Sequence, residues 1–289
     1  MMSTDKMSRA VGIVGVGNMG GGMARNLLQK NYAVHVMDID RTKTTALQAL
    51  GATVHGSAND FPAHAQEVIV CVVDSEQIAD VLPTIGGDRV VILCPTIAPE
   101  DTERLAQGLM RRGIQAIDAP MSGGPLRAEN GTMSLMVACS DALFAQHQTL
   151  LNDLSNQVFR ISERVGDGAR MKLCNNLLSG INLAGAAQVL ALAERMGLDT
   201  HKALAVMQSS SAQSWIAGDR FTRALGGDYA PRAHMTLLAK DTKLALAMAA
   251  KAHTACSLGQ PAAQAFTDAA SQGYADWDDA ALFEFFRKK

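Results

Sequence analysis

Ala10 to Gly20 reads AVGIVGVGNMG, and the fold of the first half of the chain turns on this stretch. AVGIV is a short apolar burst rich in β-branched residues, which reads as a buried strand. GVGNMG follows without a spacer and opens a segment in which Met19, Met23, Leu27 and Leu28 recur at helical spacing. In a strand-turn-helix unit each of the three glycines has its own task. Gly15 allows the tight turn, Gly17 leaves no side chain where a diphosphate approaches the backbone, and Gly20 lets the helix close on the strand. Asn18 and Met19 begin that helix, whose unpaired N–H groups would receive the diphosphate. The stretch predicts a dinucleotide site.

The next strand, AVHVMD (33–38), ends in Asp38, about 20 residues past the loop, where a carboxylate accepts from the adenosine ribose hydroxyls and repels a 2′-phosphate. That predicts NAD as the cofactor; Arg41 nearby keeps NADP open. Val72 and Val73, which close the apolar burst EVIVCVV (67–73), are placed with the cofactor-binding residues.

Further bursts follow at RVVILCP (89–95), IQAIDAP (114–120), TMSLMVA (132–138) and VFRI (158–161), with helical segments such as DTERLAQGLMRRG between the early ones. Strands alternating with helices predict a parallel sheet covered on both faces, because a parallel crossover needs a helix-length connection. Residues 1–164 therefore read as a doubly wound, Rossmann-type α/β domain. From residue 165 the chain is rich in Ala, Leu and Met, with cap signals at Gly197 and Asp199-Thr200, so residues 165–289 read as an all-α domain. Its first helix, from about Ala169 to Met196, would span ~42 Å and is apolar around most of its circumference. Such a helix belongs in a core, here one shared with a partner subunit.

The 289 residues are 48% apolar and 19% charged, with a net charge of −2, which fits a soluble globular protein. Lys and Arg form no stripe, so neither nucleic acid nor an anionic membrane surface is the expected partner. Cys71, Cys94, Cys139, Cys174 and Cys256 are odd in number, show no CxxC spacing and lie mostly in apolar runs, which reads as buried free thiols in a reducing compartment. The seven histidines show no metal-ligand spacing, and no metal is expected. Residues 1–9 are short and polar, and no run reaches the ~18 to 20 residues a membrane span needs. A cytoplasmic protein is expected.

DAPMSGG (118–124) closes the fifth strand, on the sheet edge that faces the ligand crevice. Ser122, Gly123 and Gly124 offer a hydroxyl and bare backbone, suited to a carboxylate. Downstream come GDGARMKLCNN and AKDTKLALA (239–247). Together with the glycine loop, these motifs resemble the β-hydroxyacid dehydrogenase family, which covers enzymes of 3-hydroxyisobutyrate, tartronate semialdehyde and L-threonate. The resemblance spans nearly the whole chain, whereas the long 6-phosphogluconate dehydrogenases are too large to match it. It implies NAD(P)-dependent oxidation of a small 3-hydroxy acid, or reduction of its semialdehyde. It assigns Lys172 as the catalytic lysine, Asn176 as its partner, Ser122 to Gly124 as the substrate turn, Thr96 to the nicotinamide ribose and Lys240 to the nicotinamide end. It also implies a homodimer or homotetramer formed through the helical half.

The chemistry explains the residue types. Oxidising a hydroxy acid requires a proton acceptor at the hydroxyl. A lysine in water, with a pKa of about 10.4, is a poor one, but burial or a second cation disfavours its charged form. Lys172 and Asn176 lie one turn apart on one helix face, so both can reach a single oxygen, whereas Asn175 points about 100° away. SSSAQSWIAGDR, GDYAPR and the tail GYADWDDAALFEFF resemble the threonate branch; KLCNN resembles the hydroxyisobutyrate and tartronate semialdehyde enzymes. A short, polar, sugar-acid-like substrate is expected. Asp278 reads as a structural cap or ion-pair residue, and Trp215 as a core or interface residue, with the substrate pocket as its alternative place. The rival readings are an imine reductase of similar build, which typically replaces the lysine, and a non-catalytic dinucleotide-binding protein, which needs none of Lys172, Asn176 and the Ser-Gly-Gly turn.

Overall fold

The computed structural model describes residues 9–289, so the polar stretch expected ahead of the first strand falls, as far as residue 8, outside the described residues. Two compact units make up the chain, one ending at Lys172 and the other running from Leu173 to Lys289.

The first unit is built on one nine-stranded sheet. Its strands are β1 (Ala10–Val14), β2 (Ala33–Met37), β3 (Thr53–Val54), β4 (Glu67–Val70), β5 (Val90–Leu93), β6 (Gln115–Asp118), β7 (Met121–Ser122), β8 (Met133–Ala138) and β9 (Ser155–Ser162). Their spatial order is β3-β2-β1-β4-β5-β6-β8-β7, with β9 paired to β8. The chain leaves β1 in one direction through β2 and β3, then returns to β4 on the other side, so the strand order reverses between β1 and β4. The apolar bursts lack a polar alternation because both faces are covered. Val11, Ile13, Ile69, Ile92 and Ile117 pack with Met23 and Leu27 on one side, while Val14, Val68, Val70, Val91 and Leu93 pack with Ile78, Leu105 and Leu109 on the other. Each such side chain contributes about 1.5–3 kcal/mol by leaving water.

The sheet departs from the expected all-parallel pattern at one end, where β8 runs antiparallel to both β6 and β7. Only the short helix Gly124–Glu129 lies between β7 and β8, too little chain for a parallel crossover. Strands β3 and β7, of two residues each, carry no readable periodicity.

The second unit is helical, as the sequence predicts. The helix Asp167–Arg195 leads into it, and Thr200–Gln208, Trp215–Leu225, Met235–Lys251, Gly259–Ala269 and Leu282–Arg287 follow. Leu183, Ala187, Leu190, Phe221, Met235, Phe266, Leu282 and Phe283 form its core. Asp278 has the structural role expected of it: its buried carboxylate accepts from the backbone N–H groups of Arg232 and Ala280 and pairs with Arg223 at 3.1 Å. Beside it, Arg220 bonds Asp279 and Asp219.

Among the described residues one helix, Asp167–Arg195, is long and apolar enough to cross a membrane by length and composition. Contrary to the expectation that no run would reach that mark, this helix does, with asparagines and serine interspersed among its apolar residues. Half of its most apolar stretch is buried inside the protein. The cysteines also differ from expectation. Cys94 and Cys139 are buried, Cys71 and Cys256 are half-buried, and Cys174 is exposed on the outward face of that helix; all five are free thiols.

Candidate active site

Because β1, β2, β4, β5 and β6 run parallel, their carboxyl ends share one edge of the sheet. The glycine loop leaves β1 there. Gly15 has a φ of 84°, and a Cβ on it would stand 2.7 Å from the carbonyl oxygen of Cys71. A Cβ on Gly20 would collide with the carbonyl oxygen of Gly15, whereas one on Gly17 would meet nothing within 4 Å. Gly17 caps the helix Asn18–Gln29 without a side-chain bond, and no acid lies in the first turn. Open space at Gly17, backbone donors and a helix start without an acid in its first turn form a cradle that fits a diphosphate.

Asp38 follows β2 on the same edge, and its carboxylate is already engaged. Oδ2 accepts from the N–H of Val16 at 2.7 Å, and Oδ1 from that of Asp40 at 2.8 Å. Each oxygen keeps a second lone pair for a ribose hydroxyl. The bond to Val16 also ties the glycine loop to the end of β2, a role the sequence does not announce. Val72 and Val73 follow β4: Val72 packs beside Gly15, and Val73 is half exposed with its N–H donating to Gln77. Half-buried Thr96 lies just past β5.

The Ser-Gly-Gly segment lies beyond β6. Ser122 belongs to β7, opposite Ser134, rather than to an open turn; Gly123 and Gly124 have φ values of 133° and 77°, backbone that favours glycine. Asp118, at the end of β6, is 1% exposed. Its Oδ2 accepts from the N–H groups of Gly166 at 2.8 Å and Ala169 at 3.1 Å, at the start of the helix that carries Lys172. Burial pushes this carboxyl up to about 6, against the pull of the amides of Ala169, Gly166 and Gly168. Lys172, one turn on, is itself only 7% exposed.

In the second unit, Asn176 is 8% exposed. Its amide nitrogen donates to Oδ2 of Asp241 at 2.7 Å, and Lys240 Nζ lies 3.5 Å from Oδ1 of the same carboxylate. Asn175 does not simply point away, because its amide donates to Oδ1 of Asn176 at 3.0 Å. Asn176 therefore has one N–H left for a substrate oxygen, in an orientation fixed by two neighbours. A close approach of helices brings these groups together: a Cβ on Gly180 would stand 2.7 Å from Cγ2 of Thr242, next to Asp241. Trp215 is not a core residue. It is half exposed and lines a cavity of about 510 Å³ with Gln208, Gln213, Gly218 and Asp219. Among the described residues no group of three His, Cys, Asp or Glu side chains is arranged to hold a metal.

A dinucleotide cradle on a doubly wound sheet, followed by a helix with a buried lysine and a buried asparagine, defines a nicotinamide-dependent oxidoreductase. Comparison with known proteins narrows the class. Residues 10–162 match the family model for the NAD binding domain of 6-phosphogluconate dehydrogenase, and residues 166–286 match that for the NAD-binding region of NADP-dependent 3-hydroxyisobutyrate dehydrogenase. An L-threonate dehydrogenase of Escherichia coli O6:H1 is 31% identical, over 96% of this chain and 94% of its own. A crystal structure of 3-hydroxyisobutyrate dehydrogenase from Salmonella typhimurium superposes with a TM-score of 0.89 at 31% identity, covering 96% of this chain and 99% of that one. The chain belongs to the β-hydroxyacid dehydrogenase family, NAD(P)-dependent oxidoreductases of small hydroxy acids. An imine reductase from Pseudomonas sp. aligns at 20% identity with a TM-score of 0.67, a likeness of fold alone.

Proposed function

We propose that this enzyme interconverts a short, polar 3-hydroxy acid and its semialdehyde, with NAD as the preferred cofactor and Lys172 as the proton-transferring group. The observation that carries the reading is the burial of Lys172 on a helix whose start is bonded to the end of β6, four residues before Ser122. When bound, the nicotinamide supplies the hydride acceptor. The substrate carboxylate is held by the Ser122 hydroxyl and the bare backbone at Gly123 and Gly124. The amine of Lys172 takes the hydroxyl proton during oxidation and returns it during reduction, and the remaining N–H of Asn176 steadies the charge that develops on the oxygen. The family motif assigns Thr96 and Lys240 to the nicotinamide ribose and ring end. On this reading residues 1–164 bind the dinucleotide, and residues 165–289 complete the substrate site and drive self-association.

The polar character of the substrate is supported by the motifs shared with the threonate branch and by the kinship with L-threonate dehydrogenase. Self-association is supported by the outward face of the helix Asp167–Arg195. Met171, Leu178, Val189, Leu192 and Met196 are exposed and fall within about 60° of arc at ~100° per residue, opposite the buried face. Sedimentation equilibrium should find a dimer or tetramer; a monomer at micromolar concentration would contradict this. We place the enzyme in the cytoplasm, in keeping with its five free thiols.

The test is the change in cofactor absorbance on a panel of C3 and C4 hydroxy acids and semialdehydes, run with NAD and NADP, for the natural protein and Lys172→Ala. Turnover on a sugar-acid-like member is expected, lowered at least 1000-fold in the variant while reduced NAD still binds. A silent panel would leave a dinucleotide-binding protein without dehydrogenase activity, and parallel loss of binding and turnover would make Lys172 a structural residue.

A further inference from the structure

The buried carboxylate at the end of β6 lies outside every role assigned so far, yet it joins the two segments on which the chemistry depends. Asp118 is four residues before Ser122, and Lys172 is three residues past Ala169, whose N–H the carboxylate holds. At i and i+3 the two residues sit one above the other on the same helix face. Any shift of Ala169 is thus passed to the base of the Lys172 side chain. The join is tight: a Cβ on Gly168 would stand 2.9 Å from the Asp118 carboxyl carbon and 2.6 Å from the carbonyl oxygen of Met136. The helix start therefore lies against the sheet at a depth that only glycine allows.

We propose that Asp118 is a positioning residue, which fixes the start of the helix Asp167–Arg195 against the end of β6 and so sets the distance between Lys172 and the Ser-Gly-Gly segment. The inference rests on the assignment of Lys172 and Ser122 made above.

A carboxylate suits this task better than a neutral acceptor. One of its oxygens serves two amides at once, and its negative charge faces the positive end of a long helix. It also makes the clamp sensitive to protons. Burial raises the affinity of Asp118 for a proton, Asp167 on the adjoining turn raises it further, and the backbone amides oppose both. The other titratable groups that sense it are the thiols of Cys94 and Cys139, which stay protonated near neutral pH because burial holds their pKa values up. Protonation of Asp118 below about pH 6 removes the charge that grips the amides.

The experiment compares the natural enzyme with Asp118→Asn and Lys172→Ala, all full length, using the best substrate of the panel and reduced NAD as the binding probe. Asp118→Asn keeps the volume but puts a neutral amide before two N–H donors. The expected result is an affinity for reduced NAD within about twofold of the natural enzyme and a kcat lower by about 10- to 100-fold, the scale of an ångström of misplacement. An inflection near pH 6 in the kcat profile of the natural enzyme should vanish in the variant. If Asp118→Asn turns over within twofold of the natural enzyme and keeps that inflection while Lys172→Ala is inactive, the positioning role is refuted and the assignment of Lys172 stands. If Lys172→Ala stays active, the assignment of Lys172 fails and Asp118 has nothing to position. Equal losses of binding and kcat in Asp118→Asn, with a lowered melting temperature, would reduce Asp118 to a fold residue.

Discussion

Gly180→Ala should destabilise the protein, although the same change in an exposed helix interior is stabilising. Replacing glycine by alanine within a helix ordinarily gains about 0.5–1 kcal/mol, because the glycine backbone loses more freedom on folding. At position 180 the new methyl carbon would stand 2.7 Å from Cγ2 of Thr242 and 3.3 Å from the ring of Phe266. Both neighbours are fully buried, so neither can swing into solvent. Forcing an extra methyl into such a site costs about 1–3 kcal/mol. The balance is a net loss of roughly 0–2.5 kcal/mol, centred near 1 kcal/mol, which at its centre lowers the melting temperature by about 2 °C for a protein of this size. Displacing Thr242 should also pull Asp241 away from Asn176, so kcat is expected to fall by more than the stability loss alone would cause. The double variant Gly180→Ala, Thr242→Ser removes the offending methyl and keeps the hydroxyl bond to the carbonyl of Leu238, so it should regain both stability and turnover. Melting curves by circular dichroism and initial rates on the three proteins decide the matter. A single variant more stable than the natural protein, or a double variant no better than the single, would refute the close helix contact as the device that brings Asn176 to Asp241.

Asp38→Ser should raise the ratio of kcat/KM for NADP over NAD by at least about tenfold, or ~1.4 kcal/mol, because a fixed negative charge no longer faces the 2′-phosphate; an unchanged ratio counts against the assignment. Stability should also fall as the pH drops below about 6.5. Burial, together with His55, His64 and Arg89, lowers the pKa of His35 in the folded state, so the unfolded chain takes up the proton first. The penalty is absent above the unfolded value and grows as the pH falls from there towards the folded one. Urea midpoints at pH 7.5 and 5.5 should differ less in His35→Gln than in the natural protein; equal differences would mean that other groups govern the acid side.

The parts of the molecule that could be read from the sequence are those in which a residue type is forced by backbone geometry. Gly15 and Gly20 are required by steric contacts that no other residue satisfies, so their spacing reports the turn and the helix together. The strands could be read because burial on both faces leaves unbroken apolar runs such as VVIL. Short elements could not: Met121 and Ser122 form a strand only because β8 supplies the partner, a pairing no local pattern encodes. Long-range polar contacts were equally hidden. Asp118 and Gly166 are 48 residues apart, and Asn176 and Asp241 are 65 apart, so in each case the sequence shows an acid and an amide but not the bond. The bond from Asn175 to Asn176 is hidden for a related reason, since a 100° step around the helix does not stop a flexible amide from reaching its neighbour.

The helix Asp167–Arg195 shows why the positions of polar groups matter more here than their number. Arg170, Asn175, Ser179, Asn182 and Gln188 all keep some access to solvent, and among the polar side chains of this helix only Lys172 and Asn176 are buried. A buried amide without a partner costs about 1–3 kcal/mol, and a buried ammonium group costs more. A helix needing only to pack would place leucine or alanine at both positions, as it does at Leu173, Leu183 and Ala187. Asn176 offsets most of its penalty by donating to Asp241 and accepting from Asn175. Lys172, 7% exposed, is the one ammonium-bearing side chain among the buried residues of this helix. A buried position that packing alone would fill with an apolar side chain is thus what sets Lys172 apart on this helix, and the loss of turnover in Lys172→Ala is the measurement that decides whether the proposed proton transfer accounts for it.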